Sequence, residues 1–164
     1  MKILVCGLPG SGKTWLSERL QKHIKNSAWY NADFVRRYAN DWDFEIAGRI
    51  RQAQRMKAFA DFEKSQGRWV ICDFVAPTVK SREAFDPDFL IWLDTVEKGR
   101  VVSTKLKQLQ SIENLPFDAQ TLSTSKKFDD TNKIFEKPTN PDIHITNFLN
   151  DEQIQELATK VKNV

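Results

Sequence analysis

Eight residues near the start of the chain, GLPGSGKT at 7–14, have the types and spacing that suit a phosphate chain. They match the pattern G-x-x-x-x-G-K-[ST], in which backbone N–H groups wrap the phosphates where a larger side chain would obstruct them. Lys13 would reach the β- and γ-phosphates of ATP, and the Thr14 hydroxyl would ligate the bridging Mg²⁺. The predicted ATP-binding residues are Gly7, Pro9, Gly10, Ser11, Gly12, Lys13 and Thr14.

An acid and two arginines lie together in NADFVRR, residues 31–37, directly after an apolar run. The Asp33 carboxylate could take the proton from an attacking hydroxyl, and Arg36 could hold a charged group of the acceptor. Asp33 could instead have a structural role, because an aspartate here could cap a helix that begins at Phe34. The spacing alone leaves both interpretations open.

A row of hydrogen-bond donors lies in the segment RIRQAQR, residues 49–55. Arg49, Gln52 and Arg55 are spaced i, i+3 and i+6, so they share one face of a helix. Such a row could grip sulfate or phosphate oxygens if it faced a ligand. It could also be an ordinary solvated helix face.

Another acid, Asp73, ends the apolar run WVICD and is followed by Phe74. A carboxylate in this place could hold the Mg²⁺ shell, as a Walker B acid does, or be satisfied by a turn. The Phe74 ring could stack on a base or fill the core. Together, Thr14 and Asp73 are the predicted metal-side residues.

Alternating apolar runs and helical stretches would position these residues. Strands are predicted over residues 2–6, 28–32, 69–74, 89–94 and 142–146. The longest helix is predicted over residues 44–66, closed by Gly67, and the last begins near Asn150. Apolar strands joined by helices predict an α/β fold whose parallel sheet is covered on both faces. Ligands in such sheets bind beyond the carboxyl ends of the strands.

Composition agrees with a single-domain enzyme. The 164 residues can bury a core, and the formal net charge of +3 is too small to suggest wrapping by nucleic acid. Cys6 and Cys72 are isolated in apolar runs, which favours reduced core thiols over a disulfide or metal site. No apolar run reaches membrane-spanning length and no signal peptide precedes the first strand, so we expect a cytoplasmic protein without a membrane partner.

These segments together resemble the adenylylsulfate kinase (APS kinase) family over most of the chain. The family's D-G-D-x-x-R motif corresponds to NADFVR at 31–36, and its D-R-x-E-N-x-R-R helix to GRIRQAQR at 48–55. Its F-I-S-P-Y-R segment corresponds to FVAPTV at 74–79. The segment KKFDDTNKIFEKPTNPDI, residues 126–143, is similar to the family's K-N-F-T-G-I-D-D-P-Y-E-P-P-E-N-P-E-I without a gap.

The resemblance implies a three-layer P-loop kinase fold, with a parallel five-stranded sheet flanked by helices, that uses ATP and Mg²⁺. It implies that Lys13 and Asp33 are catalytic. The adenine of the acceptor would be sandwiched between the rings of Phe74 and Phe128. The acceptor-binding residues implied in full are Asp33, Arg36, Arg49, Gln52, Phe74 and Phe128.

The chain departs from the family pattern in two ways. Asn31 and Gly48 stand where the family motif has an acid, Ala76 lacks its serine hydroxyl, and Val79 lacks its arginine. The family's lid motif R-D-x-K-G-L-Y is not recognisable between Thr95 and Lys126. We therefore expect one domain, residues 1–164, with a rebuilt lid segment at 96–127.

The resulting prediction is transfer of the γ-phosphate of ATP to the 3′-hydroxyl of adenylyl sulfate, a reaction of sulfate assimilation. One alternative is a P-loop kinase acting on another hydroxyl, such as that of a nucleoside, a modified base or a nucleic-acid 5′ end. A second is a non-catalytic nucleotide-binding switch. The expected partners are small-molecule nucleotides rather than nucleic acid, and the resemblance also implies a homodimer.

Overall fold

The structure is a computed structural model that describes residues 1–97 and 125–164, with side chains described over 1–97 and 130–164. Elements are numbered over these residues. The strands are β1 (Lys2–Gly7), β2 (Ser27–Asn31), β3 (Trp69–Asp73), β4 (Phe89–Leu93) and β5 (Ile143–Ile145). The helices are α1 (Lys13–His23), α2 (Ala32–Ala39), α3 (Ile46–Ser65), α4 (Val79–Phe85), α5 (Ser125–Ile134) and α6 (Asp151–Lys162).

The strands form one five-stranded sheet in the order β2-β3-β1-β4-β5, and all neighbours are parallel. The predicted parallel sheet with flanking helices is therefore confirmed. Register pairs Asn31 with Asp73, and Gly7 with Leu93. The carboxyl ends of β1, β2 and β3 consequently meet at one edge, where the phosphate loop, Asn31 and Asp73 lie close together.

Apolar side chains alternate along β1 and supply a core on each face of the sheet. Ile3 and Val5 pack with α1 and α6, while Leu4 and Cys6 pack with α3 and α4. All four are fully buried. Burial raises the pKa of the Cys6 thiol to about 12 and also raises that of Cys72. Both cysteines are free and buried, as predicted for core thiols.

Helix boundaries follow the predicted capping residues with small shifts. Gly67 adopts a left-handed φ of +70° just after α3, the conformation for which glycine was expected there. Asn150 caps α6 through a reciprocal capping box with Gln153. The start of α3 at Ile46 is two residues later than predicted, because Glu45 is extended and serves as its N-cap. Among the described helices, none has the length and hydropathy needed to cross a membrane.

Candidate active site

The phosphate loop joins β1 to α1, and its glycines are required by the backbone. Gly10 and Gly12 adopt left-handed φ values of +85° and +92°. A Cβ atom on Gly7 would lie 2.4 Å from the Leu93 carbonyl oxygen, so no larger residue fits there. The Lys13 ammonium donates to the Leu8 carbonyl at 2.9 Å, which holds the side chain against the loop. The loop thus presents backbone N–H groups and one cation to a phosphate chain.

Thr14 and Asp73 meet at the metal side of the loop. The Thr14 hydroxyl donates to Asp73 Oδ2 at 2.9 Å, and Asp73 is only 2% exposed. Hydroxyl and carboxylate oxygens are the donor atoms that Mg²⁺ prefers, so the pair fits the ion. Among the described residues, no group of three or more His, Cys, Asp or Glu could hold a metal. In nucleotide sites Mg²⁺ usually takes its other ligands from phosphates and water.

The Asp73 carboxylate is held by side chains from β2 as well. The Trp29 indole N–H donates to Oδ1 at 2.7 Å, and the Asn31 amide donates to Oδ2 at 2.9 Å. Burial raises the pKa of Asp73 despite the hydrogen bonds from Trp29 and Thr14, and the nearby Asp33 charge adds to the rise. Side-chain donors, not a turn, thus satisfy this acid. The alternation of Trp29 and Asn31 on a strand next to β3 was the signal that sequence reasoning missed.

Asp33 lies exposed in the first turn of α2, but it does not cap that helix. The cap is Asn31, whose Oδ1 accepts from the backbone N–H groups of Asp33 at 3.0 Å and Phe34 at 3.2 Å. The helix begins at Ala32, so the interpretation of Asp33 as the cap of a helix starting at Phe34 is wrong. The Asp33 carboxylate lies near both Asp73 and Arg36: its charge adds to the rise that burial causes in the pKa of Asp73, and it opposes the lowering that burial causes in the pKa of Arg36.

Arg36 is buried in the connection between α2 and α3 rather than held in an open cleft. Its Nη1 donates to the backbone carbonyls of Asp41 at 2.9 Å and Asp43 at 3.0 Å. The guanidinium lies 4.6 Å from the Phe44 ring centroid, a cation–π distance. Burial lowers the pKa of Arg36 to about 10. This predicted acceptor-binding residue therefore has a structural task in the protein.

Arg49 also bonds to protein atoms. Its Nε donates to the Phe44 carbonyl at 2.6 Å, and its Nη2 donates to the Thr131 hydroxyl at 2.9 Å. Burial lowers the pKa of Arg49. The Thr131 contact joins α3 to α5, which belongs to the segment predicted to approach the acceptor.

The other two donors of the row face α2. Gln52 is buried and donates to the Ala32 carbonyl at 3.2 Å. Arg55 donates to Gln52 Oε1, and at 2.8 Å to Asp41 Oδ2. Hydrogen bonds from Arg51 and Arg55 hold the pKa of Asp41 below its usual range. The row shares one face, as predicted, but the alternative of a solvated helix face is wrong for Gln52.

The segment after β3 carries the aromatic candidate and a strained residue. Phe74 packs edge-on against Phe85, with ring centroids 5.5 Å apart and planes at 72°. Ala76 is buried with a left-handed φ of +43°, unusual for a residue with a Cβ. Its carbonyl accepts from Arg82 Nη1 at 2.9 Å, a bond that helps fix the turn.

Glu136, which follows α5, forms two hydrogen bonds to the same turn. Its backbone N–H donates to the Pro77 carbonyl at 2.7 Å, and its Oε2 accepts from the Val79 N–H at 2.6 Å. Phe128 lies in α5, but its side chain falls outside the described residues, as does most of the predicted lid at 96–127. The structure therefore brings Phe74 to this turn and leaves its predicted partner ring without a described position.

An open cavity of about 550 Å³ lies at the β2 edge of the sheet, between α2 and α3. Neither Lys13 nor Asp33 lines it. Its walls are largely aromatic, and it shares only Trp29 and Asn31 with the network around Asp73. The lining residues are Trp29, Tyr30, Asn31, Phe34, Val35, Tyr38, Ala39, Arg55 and Phe59.

Solved structures similar to this chain have the same fold. The protein APE1195 matches with a TM-score of 0.76 and 24% identity, over 99% of this chain and 94% of that one. The APS kinase CysC of Mycobacterium tuberculosis, solved with AMPPNP and APS, matches with a TM-score of 0.69 and 22% identity, over 98% and 97%. A sugar kinase from Janibacter sp. HTCC2649 matches with a TM-score of 0.64 and 16% identity, over 99% and 94%.

Comparisons of sequence give the family. No curated protein matches this chain. The family model described as AAA domain matches residues 3–109, which include the phosphate loop, Asp33, the donor row of α3 and Asp73. That range is more than half of the 164 residues. The chain therefore belongs to the AAA domain family, and it builds the fold of P-loop kinases.

Proposed function

We propose that this protein is an ATP-dependent phosphotransferase that phosphorylates a hydroxyl group of a small molecule. The observation that carries the proposal is the 2.9 Å contact between Thr14 and the buried Asp73 at the end of the phosphate loop. Beside this pair, the first turn of α2 presents the exposed Asp33 carboxylate. A phosphate cradle, an oxygen pair for Mg²⁺ and an uncommitted carboxylate are the parts that phosphoryl transfer needs.

The residues divide the reaction between them. The loop N–H groups and Lys13 would hold the β- and γ-phosphates, and Thr14 and Asp73 would hold Mg²⁺, whose charge would offset that of the phosphates. The acceptor oxygen forms a bond to the γ-phosphorus as the bond to the β–γ bridging oxygen breaks. ADP leaves with that electron pair, and the hydroxyl proton passes to the Asp33 carboxylate.

Adenylyl sulfate is the leading acceptor. The support is the motif resemblance, together with the similar fold of an APS kinase solved with APS. In this proposal Arg36, Arg49 and Gln52 surround the anionic end of the acceptor. Phe74 offers a ring face to the adenine, and Phe128 offers the opposite one. The product would be 3′-phosphoadenylyl sulfate.

Another hydroxyl acceptor is the second candidate, and the turn after β3 favours it. Ala76 has no hydroxyl and Val79 has no guanidinium, so two polar groups of the family motif are missing. A site that lacks those donors would leave part of a sulfate or phosphate unsatisfied. A nucleoside, a modified base or a nucleic-acid 5′-hydroxyl are the alternatives. A nucleotide-binding switch without turnover is the third.

The deciding experiment measures ADP release from Mg-ATP with adenylyl sulfate, AMP, adenosine, a modified nucleoside or a 5′-hydroxyl oligonucleotide as acceptor. Adenylyl sulfate should stimulate release far more than adenosine, which lacks the anion, at a kinase-like rate of about 1 to 100 s⁻¹. AMP keeps the base and an anion but lacks the sulfate, so it isolates the sulfate contribution. Stimulation by an oligonucleotide or modified nucleoside alone would instead assign the second candidate.

The organisation of the protein is part of the same proposal. We expect one kinase domain over residues 1–164, with a lid at 96–127, working as a cytoplasmic homodimer. Sedimentation velocity of the full chain would measure the assembly. A monomer at micromolar concentration would contradict the dimer without affecting the proposed chemistry.

A further inference from the structure

The Asn31 side chain bonds to both halves of the candidate site. Its Oδ1 accepts from the backbone N–H groups of Asp33 and Phe34, at 3.0 and 3.2 Å. Its Nδ2 donates to Thr14 Oγ1 at 3.1 Å and to Asp73 Oδ2 at 2.9 Å. Two acceptor bonds and two donor bonds use the full capacity of a primary amide, and the residue is 8% exposed.

The orientation of this amide is fixed by its surroundings. With the amide reversed, its oxygen would face the Asp73 carboxylate and its N–H groups would face the N–H groups of α2. Aspartate, the residue of the family motif here, could cap α2 but would bring a second carboxylate to Asp73. Serine could also cap the helix, but a hydroxyl cannot make all four of these bonds. Asparagine alone among these three satisfies both halves.

We propose that Asn31 is a positioning residue that fixes the Asp33 end of α2 against the metal side of the phosphate loop. The inference rests on the proposed function, in which Asp33 serves the acceptor hydroxyl and Asp73 serves Mg-ATP. The bonds of Asn31 hold the Asp33 carboxylate at a fixed distance from the oxygen atoms of Thr14 and Asp73. Geometry of this kind affects turnover strongly, because a displacement of about 1 Å between reacting groups costs about 10²-fold in rate.

The test compares Asn31→Ser with Asn150→Ser. Both asparagines are helix N-caps, but within the described ranges the Asn150 side chain bonds to Gln153 of α6 and to no residue of the candidate site. Serine keeps the capping ability at each position, so both variants should melt within a few degrees of the parent protein. For Asn31→Ser, we expect kcat to fall about 10- to 100-fold with a smaller change in KM for the acceptor. Asn150→Ser should keep its turnover.

Binding of Mg-ATP without acceptor gives a second measurement that does not depend on turnover. Calorimetric titration of Asn31→Ser should show weaker binding in the presence of Mg²⁺ and little change with EDTA, because the lost bonds lie on Thr14 and Asp73. Equal affinities of parent and variant with Mg²⁺ would overturn the positioning role. If the parent binds Mg-ATP but phosphorylates nothing, the proposed function fails while this binding test still stands.

Asn31→Asp separates the two ends of the amide. It keeps the capping oxygen but places a second carboxylate against the buried Asp73 instead of a donor, so we expect a lower melting temperature at neutral pH. Turnover, measured well below that temperature, should fall at least about tenfold. Turnover equal to the parent in this variant would overturn the inference, because an acid without donors would then serve equally well.

Discussion

The candidate site has a phosphate side and an acceptor side, and different kinds of structure form them. On the phosphate side, glycines with left-handed backbones and residues directly after them form the loop, and their places follow from the motif. On the acceptor side, Arg36 and Arg49 bond to carbonyl groups of the chain around residues 41–44. The first side depends on backbone shape, whereas the second depends on how two helices and their connection pack. A sequence motif therefore indicates the phosphate-binding loop more reliably than it indicates the acceptor.

Lys13→Ala should have the largest effect on the phosphate side. The side chain contacts the loop through the Leu8 carbonyl, and in the proposed mechanism its charge stabilises the transferred phosphoryl group. We expect turnover to fall by about 10³-fold or more, because the lost charge acts mainly in the transition state. The melting temperature should stay within a few degrees, since Lys13 is not buried in the core. Steady-state ADP release and a thermal melt measure both, and near-normal turnover would refute the kinase mechanism.

Asp33→Asn tests whether the Asp33 carboxylate, between the two sides, accepts the proton of the acceptor hydroxyl. The amide keeps the shape of the side chain but cannot accept the acceptor's proton, so we expect turnover to fall about 10²-fold with ATP affinity little changed. Because Asn31 is the cap of α2, Asp33→Ala should be about as stable as Asp33→Asn. Single-turnover kinetics with pre-bound ATP would isolate the chemical step. If Asp33→Ala lost much of its stability while both variants kept their turnover, the role of Asp33 would be structural and not catalytic.

The sequence predicted the phosphate side because local chemistry determines it. The loop pattern, the apolar strand before it and the helix after it are contiguous in the chain. The meeting of Thr14 and Asp73 also followed, since the ends of parallel strands share an edge of the sheet. All five strands were predicted, and their ends differ from the structure by no more than one residue.

The acceptor side could not be predicted to the same depth, because distant residues determine it. Asn31 and Asp33 are both good caps, and only the start of α2 at Ala32 decides between them. Gly48 replaces an acid of the resembled motif, and its lack of a side chain is explained by Asp43. A Cβ atom on Gly48 would lie 2.3 Å from the Asp43 Cγ. No spacing in the sequence indicates that contact.

Arg36→Met tests how much the buried arginine of the acceptor side contributes to folding. The change leaves the carbonyl groups of Asp41 and Asp43 without the donor they share. We expect a loss of about 1–3 kcal/mol in the free energy of unfolding, because buried acceptors would lose their hydrogen bonds. Arg37→Met is the matched control, since Arg37 neighbours it on α2 and makes neither bond. Urea denaturation measures both, and equal stabilities would show that the two hydrogen bonds of Arg36 do not stabilise the fold.

Trp29→Phe should have the smallest effect, and it tests the hydrogen bond between Trp29 and Asp73 on the phosphate side. Phenylalanine keeps an aromatic ring but removes the N–H that donates to Asp73 Oδ1 at 2.7 Å. The other oxygen, Oδ2, keeps its donors Thr14 and Asn31. We therefore expect Mg-ATP affinity to fall by about tenfold, the low end of what one hydrogen bond to a charged group contributes.

The control for this last prediction is Trp69→Phe, at the opposite end of the neighbouring strand. Trp69 begins β3 and packs against the core, whereas Asp73 ends the same strand, so this change loses similar packing without touching the carboxylate. Calorimetry should therefore show weaker Mg-ATP binding for Trp29→Phe and parent-like binding for Trp69→Phe. If both variants weaken binding equally, the effect comes from packing of the sheet. The Trp29 indole would then have no specific part in holding Asp73, and the phosphate side would depend on the loop, Thr14 and Asn31 alone.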